Sequence, residues 1–400
     1  MSTEQQGPRL PLAGVLVVAM EQAVSAPMCT RHLAEMGARV IKIEPVGRGD
    51  FTRDYDEVVR GLAAHFVWAN RGKESLTLNV KSARGNELLH RLLSKADVLV
   101  SNLGPGARDR LGLNPATLTE RYPRLIVAAI SGYGDGGTLD HKRAYDLLVQ
   151  AEAGSCAITG WEGRPAKPGV PVADVGSALY AYSTILAALY DRERTGRGAA
   201  ISVSLFDTVV EFMGYALNHS LHSGHDQPPN GLSSPAVSPY GAYPTADGQT
   251  VVLGTTNDGE WHRLAVEMLG DPDLAANPRY AHNADRIVHR PELDEVIGEW
   301  CRRRDLADIQ RAADAAGIGN ARYNTPTDVL NHPHLADRGR WRDVDSPAGP
   351  IPALLPPPVV DGWDLAMGAI PGLGEHTDTI LTELGLDDAE VAGLRRDGVV

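Results

Sequence analysis

Residues 15–43 have the sequence VLVVAMEQAVSAPMCTRHLAEMGARVIKI, in which two apolar strand patterns flank a helical pattern. Val15–Val18 is a candidate buried strand, and Arg39–Ile43 is the next one. Pro27 and Gly37 lie where a helix between them would begin and end, because proline favours the first helical turn and glycine terminates helices. A strand, a helix and a strand in this order predict the first unit of a parallel sheet.

The same alternation continues through the first half of the chain. Ala83–Ser94 has the spacing of an amphipathic helix, and Val175–Arg194 is the most strongly periodic helix. Further apolar strands are predicted at 97–100, 125–130 and 201–205. We therefore expect an α/β protein with a doubly wound, Rossmann-like sheet that binds ligands at the carboxyl ends of its strands.

The composition changes after residue 217. Residues 218–243 are predicted to be a linker, because most of this stretch is rich in Pro, Gly, Ser and Asn. Residues 244–330 show one strand followed by helices and are expected to form a smaller α+β domain. Residues 331–400 contain a proline-rich extended stretch and two helices, and are expected to return to the large domain begun by residues 1–217.

Composition excludes several classes of protein. The 400 residues are 43% hydrophobic and 22% charged, as in an ordinary globular protein, and their net charge of −13 disfavours nucleic-acid binding. Three cysteines, Cys29, Cys156 and Cys301, are too scattered for a disulfide framework or a zinc cluster. The amino terminus lacks a signal-peptide pattern, and the apolar stretches are interrupted well before the roughly 20 residues needed to span a bilayer. We expect a cytoplasmic protein that binds no membrane.

Two motifs favour ordinary structural explanations. Gly132–Gly137 matches GxGxxG after a strand, but the polar segment that follows lacks the helix that dinucleotide binding requires, so a turn is favoured. His219, His222 and His225 recur every three residues without an accompanying carboxylate or cysteine. Solvated histidines at a helix end are favoured over a ligand set, and no metal site is predicted.

Asp174 is the strongest candidate for a catalytic residue. It follows the apolar run Gly169–Ala173 and precedes the strong helix, a position that suits an N-cap. The same position suits a nucleophilic carboxylate, because backbone N–H groups and the helix dipole favour its ionised form and can bind a nearby oxyanion. Gly176 and Ser177 are small enough to let a substrate approach. Both interpretations stay open on the residues alone.

A series of short blocks along the first half of the chain carries a further signal. They are Ala26–Thr30, Leu33–Glu44, Gly49-Asp50, Asn70–Lys81, Ala96–Val100 with Asn102, Gly104–Gly106, Arg110–Gly112, Ser131–Gly134, Tyr145-Asp146, Pro171–Asp174 and Thr195–Gly198 leading to Ile201–Asp207. In sequence and in order these blocks resemble a known family, the class III CoA-transferases, which includes formyl-CoA transferase and carnitine CoA-transferase.

The resemblance implies an acyl-CoA:carboxylate CoA-transferase in which Asp174 is the catalytic nucleophile. It implies a mixed anhydride and a CoA thioester on this aspartate, with CoA or acyl-CoA as substrate and no permanently bound cofactor. The other partner would be a small carboxylic acid. The family fold is a large doubly wound domain with a smaller domain, in an interlocked homodimer.

The resemblance also assigns CoA contacts position by position. Lys81, Arg110 and Arg143 would offset the phosphates of CoA in a chain that is acidic overall. For each basic residue, a merely solvated side chain is the alternative. The positions that match family CoA contacts are Val24, Ser25, Leu78, Asn79, Lys81, Asn102, Leu103, Gly104, Arg110 and Arg143.

Two departures from the family pattern matter. Pro45 stands where formyl-CoA transferase has an arginine beside the adenine, so that contact is either lost or supplied differently, with Arg48 and Arg53 as the candidates. The loop that usually shields the active site is glycine-rich in the family. Asn230–Ser234 is the nearest candidate here, and it lacks the long polyglycine run.

Two alternatives to a transferase remain open. The related α-methylacyl-CoA racemases have a histidine before an aspartate at the position of Tyr145-Asp146, and a tyrosine is a weak base at neutral pH. In a transferase this pair is expected to contact substrate, although a packed aromatic beside a helix-starting carboxylate would explain it too. The other alternative is a non-catalytic CoA-binding partner protein.

Overall fold

A computed structural model describes residues 10–104 and 106–400. The chain forms two compact units. The first contains the chain up to Ser155, Pro168–Gly214 and Asp337–Val400, and the second contains Cys156–Lys167 and Tyr215–Ala336. The second unit thus includes residues 218–243, the predicted linker, and an insertion at 156–167 that no compositional change had marked.

The elements of the amino-terminal region alternate as expected. They are β1 (Leu16–Met20), α1 (Ser25–Glu35), β2 (Arg39–Glu44), α2 (Ala64–Asn70), β3 (Lys73–Thr77), α3 (Ala83–Leu93), β4 (Val98–Ser101), α4 (Ala107–Arg110), α5 (Pro115–Arg121), β5 (Ile126–Ser131) and α6 (Asp146–Glu152). The rest of the chain adds more helices and shorter strands. They are β6 (Gly160–Trp161), β7 (Arg164–Pro165), α7 (Val172–Thr195), β8 (Ala200–Ser204), α8 (Leu205–Phe212), α9 (Gly214–Ser223), β9 (Tyr240–Pro244), β10 (Thr250–Gly254), α10 (Asp258–Arg263), α11 (Pro272–Ala276), α12 (Asn283–Val288), α13 (Arg290–Arg302), α14 (Leu306–Ala315), β11 (Gly319–Arg322), α15 (Pro326–Leu330), α16 (Pro333–Asp337), β12 (Trp341–Val344), β13 (Ile351–Leu354), α17 (Thr377–Glu383) and α18 (Asp388–Arg396).

The first unit contains the predicted parallel sheet. Its strand order is β3-β2-β1-β4-β5-β8, and all five pairings are parallel. In β1, Val17 lies opposite Val40 of β2 on one side and opposite Val98 of β4 on the other. The strand order therefore reverses between β1 and β4, which is where doubly wound sheets bind ligands.

The core of the first unit explains why α3 and the carboxy-terminal helices form. Ser82 caps α3 by accepting the Gly85 N–H at 3.0 Å. The leucine stripe of α3 is buried, as its spacing predicts, and packs with apolar residues of the sheet and of α17 and α18. The stripe and its carboxy-terminal partners are Leu88, Leu89, Leu92, Leu93, Ile380, Leu381, Val391 and Leu394.

Edge strand β3 is covered by the chain just before and at the start of α17. His376 donates its N–H to the Ser75 carbonyl oxygen at 3.0 Å, and the Thr77 N–H donates to Thr377 Oγ1 at 3.1 Å. Gly374 donates its N–H to Ser75 Oγ at 2.9 Å. These bonds satisfy backbone groups that an open sheet edge would expose.

The second unit is built on a small antiparallel sheet. The order is β11-β10-β9, and Tyr243, Val251 and Leu253 from this sheet are buried against Ile297 of α13 and Ile309 of α14. Residues 240–243 are therefore strand rather than linker, since Tyr243 belongs to the core. Within the same unit, the Gly231 N–H donates to the Gly160 carbonyl oxygen at 2.6 Å, which fastens the Asn230–Ser234 loop.

Three further elements differ from the sequence expectations. The single helix expected over 206–217 is two helices, α8 and α9, which end and begin around Met213. The proline-rich stretch 347–358 is only partly irregular, since Ile351–Leu354 pairs with Trp341–Val344 in an antiparallel hairpin. Helix α7 begins at Val172, three residues before the predicted start.

Helix α7 also qualifies the expectation about membranes. Among the described residues it is the one helix that is long and apolar enough to cross a bilayer by length and composition. In the first unit it packs against α1, α8 and β5, and Ala178, Ala181 and Ile185 are fully buried. The core helix of a globular unit meets the same criteria, and this packing accounts for part of the apolar composition of α7.

We expect Gly176→Ala to destabilise the first unit by about 1–3 kcal/mol through overpacking between α7 and α8. An added Cβ would lie 2.6 Å from Phe212 Cε2 and 2.7 Å from Thr208 Cγ2. The control is Gly393→Ala in α18, where the nearest atom is the tip of Arg396 at 3.8 Å. That change should raise the free energy of unfolding by about 0.5–1 kcal/mol. Urea unfolding of both variants measures whether the two changes in free energy have opposite signs.

Candidate active site

The turn after β1 is fixed by the end of β4, where the strand order reverses. Asn102 Oδ1 accepts the Gln22 N–H at 2.9 Å, and Asn102 Nδ2 donates to the Gln22 carbonyl oxygen at 2.7 Å. The same Nδ2 lies 3.3 Å from Ser25 Oγ. The structure thus brings three predicted CoA-contact positions together, Val24, Ser25 and Asn102. Asn102 uses its side chain to hold the turn.

The predicted contacts after β3 differ among themselves in exposure. Leu78 is 2% exposed, with its side chain in the core and its N–H bonded to the Glu44 carbonyl oxygen at 2.9 Å. Asn79 and Lys81 are exposed, and Asn79 Oδ1 accepts the Lys81 N–H at 3.3 Å. The side chain of Leu78 therefore has a packing role, whereas those of Asn79 and Lys81 face solvent at the carboxyl edge of the sheet.

The remaining predicted cations are on the surface of the first unit. Arg110 ends α4 and Arg143 precedes α6, and both are exposed, as is Gly104, while Leu103 packs partly against the core. Their segments follow β4 and β5, so they lie beyond the same carboxyl edge as the β1 turn. Their phosphate contacts stay predictions.

Arg53 is not free to replace the missing adenine-side arginine. Its Nε and Nη2 donate to the Glu44 carboxylate at 2.9 and 2.8 Å, and its guanidinium lies 3.6 Å from the centroid of the Phe66 ring. The expectation for Arg53 is therefore wrong, because this side chain is held inside the fold. Arg48 has a side chain that is 79% exposed, with Asp54 at 3.8 Å as a loose partner, and it stays a candidate.

The segment that carries Tyr145 and Asp146 packs closely against the end of β5. A Cβ added to Gly132 would lie 2.1 Å from the Ala144 Cβ, so only glycine permits this approach. Gly134 and Gly136 have φ values of +82° and +83° and form a turn, as the absence of a following helix pattern predicted. Tyr145 then caps α6 and is 59% exposed, and Asp146 is the first residue of that helix.

Asp146 is hydrogen-bonded to the start of another helix. Its Oδ1 accepts the N–H groups of Ala173 at 3.0 Å and of Asp174 at 3.5 Å, and its Oδ2 accepts from Gln150 Nε2 at 2.6 Å. Asp146 therefore supplies the capping carboxylate of α7 from 27 residues away. The protein thus supplies three donors to these oxygens, and the expectation that Asp146 contacts substrate stays a prediction.

Asp174 lies inside the first turn of α7, whose N-cap residue is Pro171. The N-cap interpretation of Asp174 is thus wrong, because the helix begins earlier and Asp146 takes the capping bonds. Asp174 is partly buried, and among the described residues none donates a hydrogen bond to its carboxylate. The side chain of Asp174 therefore has no capping role.

The pKa of Asp174 is raised from 3.8 to about 7, first by burial and second by the negative charge of Asp146. This reverses the expectation that the helix terminus keeps the carboxylate ionised. The main physical reason is burial, which disfavours the charged form; Asp146 adds a like charge and accepts the N–H groups of that terminus. A carboxylate that titrates near neutral pH is typical of a functional site.

Tyr55 belongs to the same neighbourhood, and no sequence signal singled it out. Burial first, and then the charges of Asp50, Tyr145 and Asp174, raise its pKa. Its ring is 5.6 Å from the rings of Phe51 and His65, measured between centroids. An aromatic group thus lies within electrostatic reach of Asp174.

No cluster suited to a metal ion occurs among residues 10–104 and 106–400. His219 and His222 are on α9 and His225 follows it, all three being solvent-facing or partly so. What the geometry offers is a carboxylate with a pKa near 7 in the first turn of a helix, at the ligand-binding edge of a parallel sheet, with cations on neighbouring loops.

Comparison with known proteins identifies this arrangement. Residues 12–377 match the description CoA-transferase family III. The chain belongs to this family. It is 31% identical, over 99% of each chain, to a succinyl-CoA–D-citramalate CoA-transferase of Chloroflexus aurantiacus. It is 35% identical, over 83% of this chain and 85% of the relative, to an acetyl-CoA:oxalate CoA-transferase of Acetobacter aceti.

The fold of this CoA-transferase also matches a solved structure. A CaiB/BaiF family protein of Brucella suis superimposes with a TM-score of 0.81 at 32% identity, covering 94% of this chain and all of that one. The family resemblance inferred from the sequence blocks is confirmed, and with it the assignment as an enzyme that uses CoA thioesters.

We expect the kcat/KM of CoA transfer to rise through about pH 7, because only ionised Asp174 is nucleophilic. Asp146→Asn removes the like charge and keeps a hydrogen-bond acceptor for α7. It should move the midpoint to lower pH by roughly one unit. Asp135→Asn, an exposed carboxylate paired with Arg108, is the control and should leave the profile unchanged. Superimposable profiles for Asp146→Asn and wild type would contradict the electrostatic coupling.

The raised pKa also predicts a stability effect. Because the folded-state pKa lies above the unfolded value, ionising Asp174 destabilises the fold between about pH 4 and pH 7 and the loss is complete above that. Asp174→Asn should therefore match wild type near pH 4 and exceed it at pH 8, by a few kcal/mol at most. Denaturant unfolding at the two pH values measures the difference. An equal difference at both would argue against a raised pKa.

Proposed function

We propose that this class III CoA-transferase moves CoA between carboxylic acids through covalent intermediates on Asp174. The observation that carries the proposal is the placement of this side chain. It is a partly buried carboxylate with a pKa near 7, in the first turn of α7, whose backbone donors are occupied by Asp146. The carboxylate is thus both ionisable at neutral pH and uncommitted to capping.

The first half of the cycle moves CoA onto the enzyme. An ionised oxygen of Asp174 attacks the thioester carbon of the donor, the carbon–sulfur bond breaks, and CoA leaves as a thiolate. The product on the enzyme is a mixed anhydride. The thiolate then attacks the aspartyl carbonyl carbon, which releases the donor acid as its carboxylate and leaves a CoA thioester on Asp174.

The second half regenerates the carboxylate. An oxygen of the acceptor acid attacks the aspartyl thioester carbon, expels CoA thiolate and forms a new anhydride. The thiolate attacks the acceptor acyl carbon, giving acceptor-CoA and free Asp174. No oxidant, metal or net proton is needed, since each step exchanges one acyl bond for another.

The chain's own groups would support these steps by electrostatics. The positive end of the α7 dipole faces the charge that develops on each tetrahedral intermediate. The N–H groups of Ala173 and Asp174 are bonded to Asp146, so they do not donate directly to that oxyanion. Lys81, Arg110 and Arg143 would meet the phosphates of CoA at the sheet edge.

We extend the proposal to substrates and assembly. The names of the two relatives above support a small dicarboxylic acid as acceptor and succinyl- or acetyl-CoA as donor. A homodimer is proposed, as the resemblance implies, and a cytoplasmic location is proposed with it. Exposed apolar side chains on the first unit support a dimer, because Leu179, Tyr180 and Tyr190 of α7 and Phe212 of α8 face solvent in the single chain.

We expect wild type to convert succinyl-CoA and a panel of dicarboxylates to new CoA thioesters, with Asp174→Ala slower by at least about a thousandfold. Mass spectrometry of CoA products measures the transfer. Hydroxylamine added during turnover should trap Asp174 as a hydroxamate, which peptide mapping locates. The control is Asp191→Ala, an exposed carboxylate near the opposite end of α7.

The same experiment separates the alternatives. Exchange of the α-proton of an acyl-CoA with heavy water, without any acceptor acid, would indicate racemase chemistry in place of transfer. Transfer that survives Asp174→Ala, or a hydroxamate on another residue, would overturn the role of Asp174.

A further inference from the structure

The turn between β1 and α1 contains a strained residue. Ala23 has a φ of +63°, in the left-handed region that costs a non-glycine residue roughly 1 kcal/mol. It directly precedes Val24 and Ser25, the positions expected to meet CoA. Strained residues of this kind persist only where the surrounding structure fixes them, and they cluster at functional sites.

The buried carboxylate of Asp50 contacts this turn. Asp50 Oδ1 lies 3.4 Å from the Ala23 nitrogen, whose N–H it accepts, and it also accepts from the N–H and hydroxyl of Thr52 at 3.0 and 2.9 Å. Its Oδ2 accepts from Lys42 Nζ at 2.9 Å. Asp50 is fully buried, so each of these bonds replaces contact with water.

Lys42 and Lys73 hold the turn from the other side. Lys42 Nζ donates to the Glu21 carbonyl oxygen at 3.3 Å, immediately before the turn. Lys73 Nζ donates to Glu21 Oε1 at 2.6 Å and to the Pro27 carbonyl oxygen at 2.8 Å, immediately after the turn. We name Glu21, Lys42, Asp50 and Lys73 the buried charge cluster. Its members are all less than 4% exposed.

General stability does not explain this cluster. Removing four charges from water is costly, and buried ion pairs are often no more stabilising than apolar residues of the same size. What the cluster does contribute is a defined position for both ends of one short segment. Its bonds converge on the backbone of Glu21, Ala23 and Pro27.

We propose that Asp50 is a positioning residue for CoA binding. With Lys42 it holds the Glu21–Ser25 turn, and Ala23 in its left-handed conformation, in the shape that accepts CoA before the ligand arrives. The inference rests on the proposed function, since it names a further residue of the same site. Preorganisation of this kind raises affinity because the ordering of the turn is completed during folding.

The test is a double-mutant cycle between Asp50 and Ala23, with CoA binding measured by titration calorimetry. Asp50→Asn should weaken CoA binding about tenfold and raise KM for acyl-CoA, while kcat changes little because Asp174 is untouched. Ala23→Gly should bind CoA nearly as wild type does. In the double variant, glycine adopts the left-handed conformation without cost, so most of the lost affinity should return.

A second variant tests the proposal without disturbing the buried charges. Ala23→Val places a β-branched residue at positive φ and should displace the turn, again weakening CoA binding at least tenfold. The matched control is Arg60→Val. Arg60 is the other non-glycine residue with positive φ in the described part of the chain, at +53°, and it is exposed. Its replacement should leave CoA affinity unchanged.

Additive losses in the cycle, or wild-type CoA affinity in a folded Asp50→Asn or Ala23→Val variant, would overturn the positioning role. If the role of Asp50 is purely structural, Asp50→Asn lowers the melting temperature, and adding Ala23→Gly does not restore the affinity for CoA. Wild type that fails to bind CoA would instead overturn the proposed function, and this inference with it.

Discussion

The hydrogen bonds from the start of α7 to Asp146 determine most of the candidate site. They set where α7 begins, they occupy the backbone donors of its first turn, and they place a second carboxylate beside Asp174. Asp174 is left without a capping role, and the charge of Asp146 adds to burial, the larger cause, in raising its pKa to about 7. The interaction in turn requires the close approach of Ala144 to Gly132 at the end of β5.

The site accordingly combines features that oppose stability. Two like charges lie close together, one of them partly buried, and a left-handed alanine lies in the turn after β1. The rest of the first unit offsets these costs through the leucine-rich core around α3 and the parallel sheet. Such a division between a strained site and a regular scaffold is common in enzymes.

Local patterns predicted the elements whose packing follows from periodicity. The β1–α1–β2 unit, the leucine stripe of α3 and the parallel sheet were predictable because apolar spacing decides them. Asp174 was identifiable from its position before a strong helix. The role of Asp146 was not, since a cap supplied from a distant segment leaves no local signal. The buried charge cluster left a faint local signal, because its member Lys42 lies between Ile41 and Ile43 in a strand that must be buried on both faces.

The discontinuity of the first unit has a consequence for biosynthesis. The apolar residues of α17 and α18 that complete its core, and the segment that covers β3, are translated only after the whole of Tyr215–Ala336. On the ribosome, the nascent chain therefore presents an open sheet edge and an unfilled leucine surface while the inserted unit is already complete enough to fold. The first unit, although its synthesis starts first, therefore completes its fold after the second unit. Until then its exposed apolar surface is of the kind that chaperones bind.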